Sequence, residues 1–136
     1  RTGGNFDAAT GSAASVVFSS NLTQTISGDF TGSNKLNILE VDNVNGVSLS
    51  GNVFIDSELK LTSGAITTGS DTLTLGLSAT VSPSSGTSSQ NVNGELTKVL
   101  TSSSDFTYPI GDNGHLGTIE LIDVAGFAGS GNWAAE

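Results

Sequence analysis

Between Asn45 and Leu75 the apolar residues arrive in doublets two positions apart: Val47 and Leu49, Val53 and Ile55, Leu59 and Leu61, Leu73 and Leu75, with Ile66 alone among them. Alternate side chains of an extended strand share a face, so each doublet predicts a short strand with two inward side chains. Gly, Asn, Asp or Ser follows each doublet within a few residues and turns the chain readily. A strand with two apolar side chains cannot bury itself. Many such strands become stable only when successive coils cover one another, which predicts a solenoid. Ser27-Gly28, Ser50-Gly51 and Ser63-Gly64, with Asn45-Gly46 and Thr68-Gly69, mark turns at uneven intervals. They predict degenerate coils of roughly 17–23 residues rather than a strict repeat.

The flanking segments extend this pattern. Val16, Val17 and Phe18 predict a first strand, and Asn21–Phe30 a second with Leu22 and Ile26 inward. Leu36, Ile38 and Val41 predict a further inward set, while Ser82–Gln90 reads as an exposed loop. Beyond it, Asn91–Leu100 predicts a longer strand with Leu96 and Val99 or Leu100 buried. Phe106, Tyr108 and Ile110 alternate ahead of Gly111-Asp112-Asn113-Gly114, a strong hairpin turn, with Leu116–Val124 as the partner strand. The fold expected is all-β: irregular over 1–15, a right-handed parallel β-helix or solenoid over 16–90, and an antiparallel hairpin region over 91–136. Val53, Ile55, Leu59, Leu61, Leu73 and Leu75 are the expected core; Asp56, Glu58, Lys60, Thr72 and Thr74 are expected to face solvent.

Composition narrows the function classes. Gly, Ser, Thr and Asn make up about half of the chain and apolar residues 35%, which suits a thin solenoid core. Thirteen acidic against four basic residues give a net charge of −9, so phosphate backbones and anionic membranes are disfavoured partners. No apolar run approaches the roughly 20 residues that span a bilayer. The absence of cysteine excludes disulfides and thiolate metal sites. The chain begins at Arg1 rather than Met, which suggests a processed chain or a fragment.

Candidate chemistry is sparse. His115, beside Asp112, has no G-x-S-x-G nucleophile near it and reads as an exposed hairpin residue. Asp42, Asp56, Glu58 and Asp71 are carboxylates of the kind that cleave glycosides in pairs, but Asp56 and Glu58 alternate outward and nothing pairs them. Glu40, Asp42, Asn43 and Asn45, and separately Asp112 and Asn113, form oxygen-rich turns that suit calcium, though Asx residues also simply turn chains. The run Gly126–Gly131 lacks the Lys and helix of a phosphate loop. Thr62, Thr67, Thr68, Thr72 and Thr74 could present a flat polar face to ice or glycans. Asn21-Leu22-Thr23 matches an N-glycosylation acceptor.

Taken together, TQTISGDF at 23–30, the run from Leu36 to Ser82, VNGELTKVL at 92–100 and FTYPIGDNG at 106–114 resemble the passenger repeats of Bacteroidota surface proteins. Tyr108-Pro109 stands where that family usually has Phe-Pro, and Lys98 where Arg is common. The resemblance implies a large, multi-repeat protein exported by the type IX secretion system to the cell surface. Such proteins serve as adhesins, gliding-associated proteins or extracellular fibres. It also implies an O-glycan acceptor at Thr72, within Asp71-Thr72-Leu73. The expected function is therefore non-catalytic, structural or adhesive and extracellular; the competing class is a glycan-binding or carbohydrate-active β-helix module. The partners expected are surface glycans and further β structure, either more of the same polypeptide or another copy. In that junction Ile119 and Leu121 of the strand Leu116–Val124 supply one side, and Trp133 packs against the neighbour.

Overall fold

The computed structural model describes residues 14–101, 104–112, 114–124 and 130–136. They form a β-solenoid of about four turns with some antiparallel strands, as the doublets predict. One wall stacks β1 (Ser15–Ser19), β3 (Leu36–Asp42), β5 (Val53–Ser63), β7 (Leu73–Leu75), β10 (Leu96–Thr101) and β13 (Ser130–Ala135), with β8 (Thr80–Ser82) alongside β5. The other stacks β2 (Gln24–Ser27), β4 (Val47–Ser50), β6 (Ile66–Thr67), β9 (Val92–Asn93), β11 (Ser104–Asp112) and β12 (His115–Val124).

The coils pair in parallel, and their spacing follows from the pairing. Gln24 lies over Val47, Val47 over Ile66, Ile66 over Val92 and Val92 over Ile110, which are steps of 23, 19, 26 and 18 residues. The inward doublets thereby become columns. Val53, Leu73 and Leu96 form one; Leu36, Ile55, Leu75 and Lys98 form the next; Leu39, Leu59 and Val81 form a third. Every apolar member of these columns is buried. Turn glycines let the coils approach. Gly64 has φ +80°, and a Cβ there would collide with the main-chain oxygen of Asn43 in the coil below.

The structure departs from the sequence expectation in four respects. Parallel stacking does not stop at residue 90: β9, β10 and β11 each pair in parallel with the coil before them. Among the described residues, antiparallel strand pairing is that of β12 with β11 and β13 with β10, beside an isolated Thr87–Gln90 bridge. The hairpin itself is present, with Asp112 opposite His115. In β3 a register irregularity between Leu36 and Ile38 shifts the alternation. Leu39 is fully buried as a result, and Ile38 is only half-buried. Leu22 is 71% exposed, because it sits in the turn before β2 rather than on the strand. Asp56, Glu58, Lys60, Thr72 and Thr74 are half-buried, since coils above and below cover their stems. The irregular stretch expected over 1–15 lies outside the described residues except for Ala14 and Ser15, the latter opening β1.

Leu61 is 0% exposed, so Leu61→Ala is expected to cost about 2–5 kcal/mol in urea unfolding. Leu39→Ala should cost a similar amount and Ile38→Ala clearly less. Strict alternation from Leu36 would reverse that order.

Candidate functional site

Three of the acidic residues singled out above, Asp56, Glu58 and Glu40, make contacts on the outer surface of the solenoid. The Asp56 carboxylate pairs with Lys35 at 2.9 Å, and Glu58 lies 3.9 Å from Lys60. Glu40 accepts a hydrogen bond from the Thr62 hydroxyl at 2.9 Å. No group of three or more His, Asp or Glu side chains suited to a metal occurs among the described residues. His115 is exposed at the start of β12, where it and Asp112 line a cleft of about 570 Å³ with Asn93, Leu116 and Glu136.

The oxygen-rich turn at 43–45 serves the coil below it. Asn43 is fully buried; its amide donates to the Leu22 carbonyl at 2.7 Å and to Gln24 Oε1 at 3.1 Å. Its Oδ1 accepts from the Asn45 backbone N–H, and the Asn45 amide donates to the Asn21 carbonyl at 2.8 Å. The amide groups that sequence offered to calcium thus hold one turn upon another. Similarly, the Asn93 amide donates to Asp112 Oδ1 at 2.9 Å. Asn113 lies outside the described residues, as does the run Gly126–Gly131 apart from Ser130 and Gly131, which open β13.

The threonines do not share a plane. Thr68, expected to face outward, is 0% exposed, and its backbone N–H donates to the Asn93 carbonyl at 2.9 Å. Thr67 is on β6 in one wall, while Thr62 and Thr74 are on β5 and β7 in the other. Thr72, just before β7, is half-buried and donates its hydroxyl to Glu95 Oε1 at 3.3 Å.

The one buried charge among the described residues is Lys98, 3% exposed, at an inward position above Leu75. Its ammonium donates to the carbonyls of Gly76, Leu77 (2.9 Å) and Ala79 (2.8 Å), and lies 5.5 Å from the centre of the Phe106 ring. Three N–H donors thus meet three acceptors, which offsets much of the cost of taking the charge out of water. Burial pushes the amine down to about 8, so it still carries its charge at neutral pH. Lys98 and Leu100 line a cleft of about 480 Å³ together with Leu77–Val81, Ser84 and Ser104–Thr107. Sequence reading passed over this site, although a signal was present. Lys98 follows Leu96 by two positions, so alternation alone points it inward.

Near Lys98 the core ends in Tyr108 and Ala135, both buried, with Phe106 and Leu121 partly buried against the core. Tyr108 is 1% exposed, meets Phe106 edge-on at 4.8 Å, and donates its hydroxyl across the core to the Trp133 carbonyl at 2.7 Å. Burial raises this phenol to about 12 from 10.0.

A raised phenol favours the native state only while it is protonated. Its contribution is whole below about pH 10 and is lost as pH rises toward 12. Tyr108 is the only tyrosine, so tyrosinate absorbance reports it alone. The native protein should titrate near 12 and the urea-unfolded chain near 10. Tyr108→Phe should cost about 0.5–1.5 kcal/mol at pH 7 and flatten the fall in stability above pH 10.

No protein family, no curated protein and no solved structure matches the chain.

Proposed function

We propose that this chain is a non-catalytic structural or adhesive module of a secreted, cell-surface or extracellular β-solenoid protein, whose end stacks against further β structure. The observation that carries this reading is the partly exposed last rung of the core, on which no further described strand is paired. Ile119 pairs with Tyr108 and Trp133 with Lys98, so both side chains lie on the inner face. Even so, Ile119 is 43% and Trp133 39% exposed. Among the described residues, β12 has β11 as its sole strand partner and β13 has β10. Free strand edges beside an apolar cross-section favour association with another β layer. Asp56 and Glu58 are held in ion pairs and Glu40 and Glu95 accept from threonine hydroxyls, an arrangement that suits a scaffold better than a catalyst.

Glycan binding is the second reading, and the cleft above Lys98 favours it. Its volume falls within the range of small-ligand sites, and hydroxyls, a carboxylate and one aromatic ring line it. The O-glycan at Thr72 belongs with the surface reading. Attachment there requires the hydroxyl to leave Glu95.

Light scattering across a concentration series is expected to show mass rising with concentration. Ile119→Lys should shift the half-point upward by about tenfold or more while preserving the β circular dichroism. A monomer at every concentration, with the single tryptophan emitting as a fully exposed indole, would overturn the reading. For Thr72, the intact mass of natively produced protein should exceed that of the polypeptide, and the excess should vanish in Thr72→Ala.

A further inference from the structure

The Lys98 site has a property independent of what the ends or the cleft bind. Between β7 and β8 the fourth coil carries Gly76–Ala79 where the coil below, between Ile55 and Glu58, has only Asp56 and Ser57. The extra residues form a turn. Two of its N–H groups are already used: Gly76 N–H donates to the Ile55 carbonyl of the coil below at 2.7 Å, and Ala79 N–H to the Gly76 carbonyl within the turn at 3.0 Å. The carbonyls of Gly76, Leu77 and Ala79 converge on one point, and the Lys98 nitrogen occupies it. These acceptors are neutral main-chain dipoles, the groups that replace the hydration shell of a monovalent cation elsewhere in proteins. The side chain delivering the charge crosses from the next coil, so the contact also fixes the fifth coil on the fourth.

We propose that the carbonyls of Gly76, Leu77 and Ala79 form a cation cage whose built-in occupant is the Lys98 ammonium, and which takes a free primary-ammonium or monovalent metal cation when that side chain is shortened. Leaving the Leu77 and Ala79 carbonyls without this donor, and the Gly76 carbonyl with the Ala79 N–H alone, destabilises the turn, and any small cation that fits restores the lost contacts. A bulky quaternary ammonium has no N–H and cannot enter. The ionic radius and donor count, rather than ionic strength, therefore set which ions work.

The test is thermal unfolding of the wild type and of Lys98→Ala in chloride salts of matched ionic strength: tetramethylammonium, sodium, potassium and ethylammonium. In tetramethylammonium the midpoint of Lys98→Ala should fall by roughly 10 °C relative to wild type. Ethylammonium should recover roughly half of that loss, saturably, and should leave the wild type unmoved relative to tetramethylammonium. Potassium or sodium should recover a smaller share. Lys98→Met retains the bulk of the stem and serves where Lys98→Ala does not fold; circular dichroism should show it gaining β structure in potassium over tetramethylammonium. Equal midpoints in all four salts would overturn the proposal. So would an ethylammonium effect of the same size in the wild type, or failure of both variants to fold in every salt.

Discussion

The rest of this structure depends on one constraint: no coil can bury its own apolar doublets, so each is completed by the coil above and the coil below. The parallel ladders deliver that completion. They place Ile55 on Leu36 and Leu75 on Ile55, so that a thin, 35% apolar chain still produces side chains with 0% exposure. Main-chain pairing and side-chain burial are then the same event. Neither gain is available to an isolated coil.

Polar side chains extend the same logic to the turns. Asn43 is buried as completely as any leucine, yet both ends of its amide are bound, to the coil below and to its own turn. A buried amide with all partners in place adds direction to stacking that hydrophobic contact lacks. Lys98 performs a related task at the fifth coil, where the fourth coil's extra turn presents carbonyls inward. An aliphatic side chain at that position would fill the column but leave the Leu77 and Ala79 carbonyls without this donor and the Gly76 carbonyl with the Ala79 N–H alone.

The two sides of the molecule therefore differ in what they offer. Along its length the surface is a scatter of short ion pairs and hydroxyl–carboxylate bonds, with no described cluster suited to a metal. At its C-terminal layer, antiparallel strands pair Ile119 with Tyr108 and Trp133 with Lys98, and both side chains stay more than a third exposed.

Strand identity and the core were legible in the sequence because both follow from a local period of two. Val53, Ile55, Leu59, Leu61, Leu73 and Leu75 are inward as alternation requires, and the Asp112–His115 hairpin follows from its turn residues. What alternation could not give was anything set by a neighbour some twenty residues away. The irregularity that puts Leu39 inward in place of Ile38 arises from matching β3 to β5. The burial of Thr68 and Asn43 arises from the turns stacked against them. Lys98 is the sharpest case. Its sequence position specified the direction of its side chain, whereas its three partners belong to a turn on the preceding coil. Sequence by itself determined which residues point inward; only the stacking of coils decided what they meet there, because the ladder brings distant residues into contact.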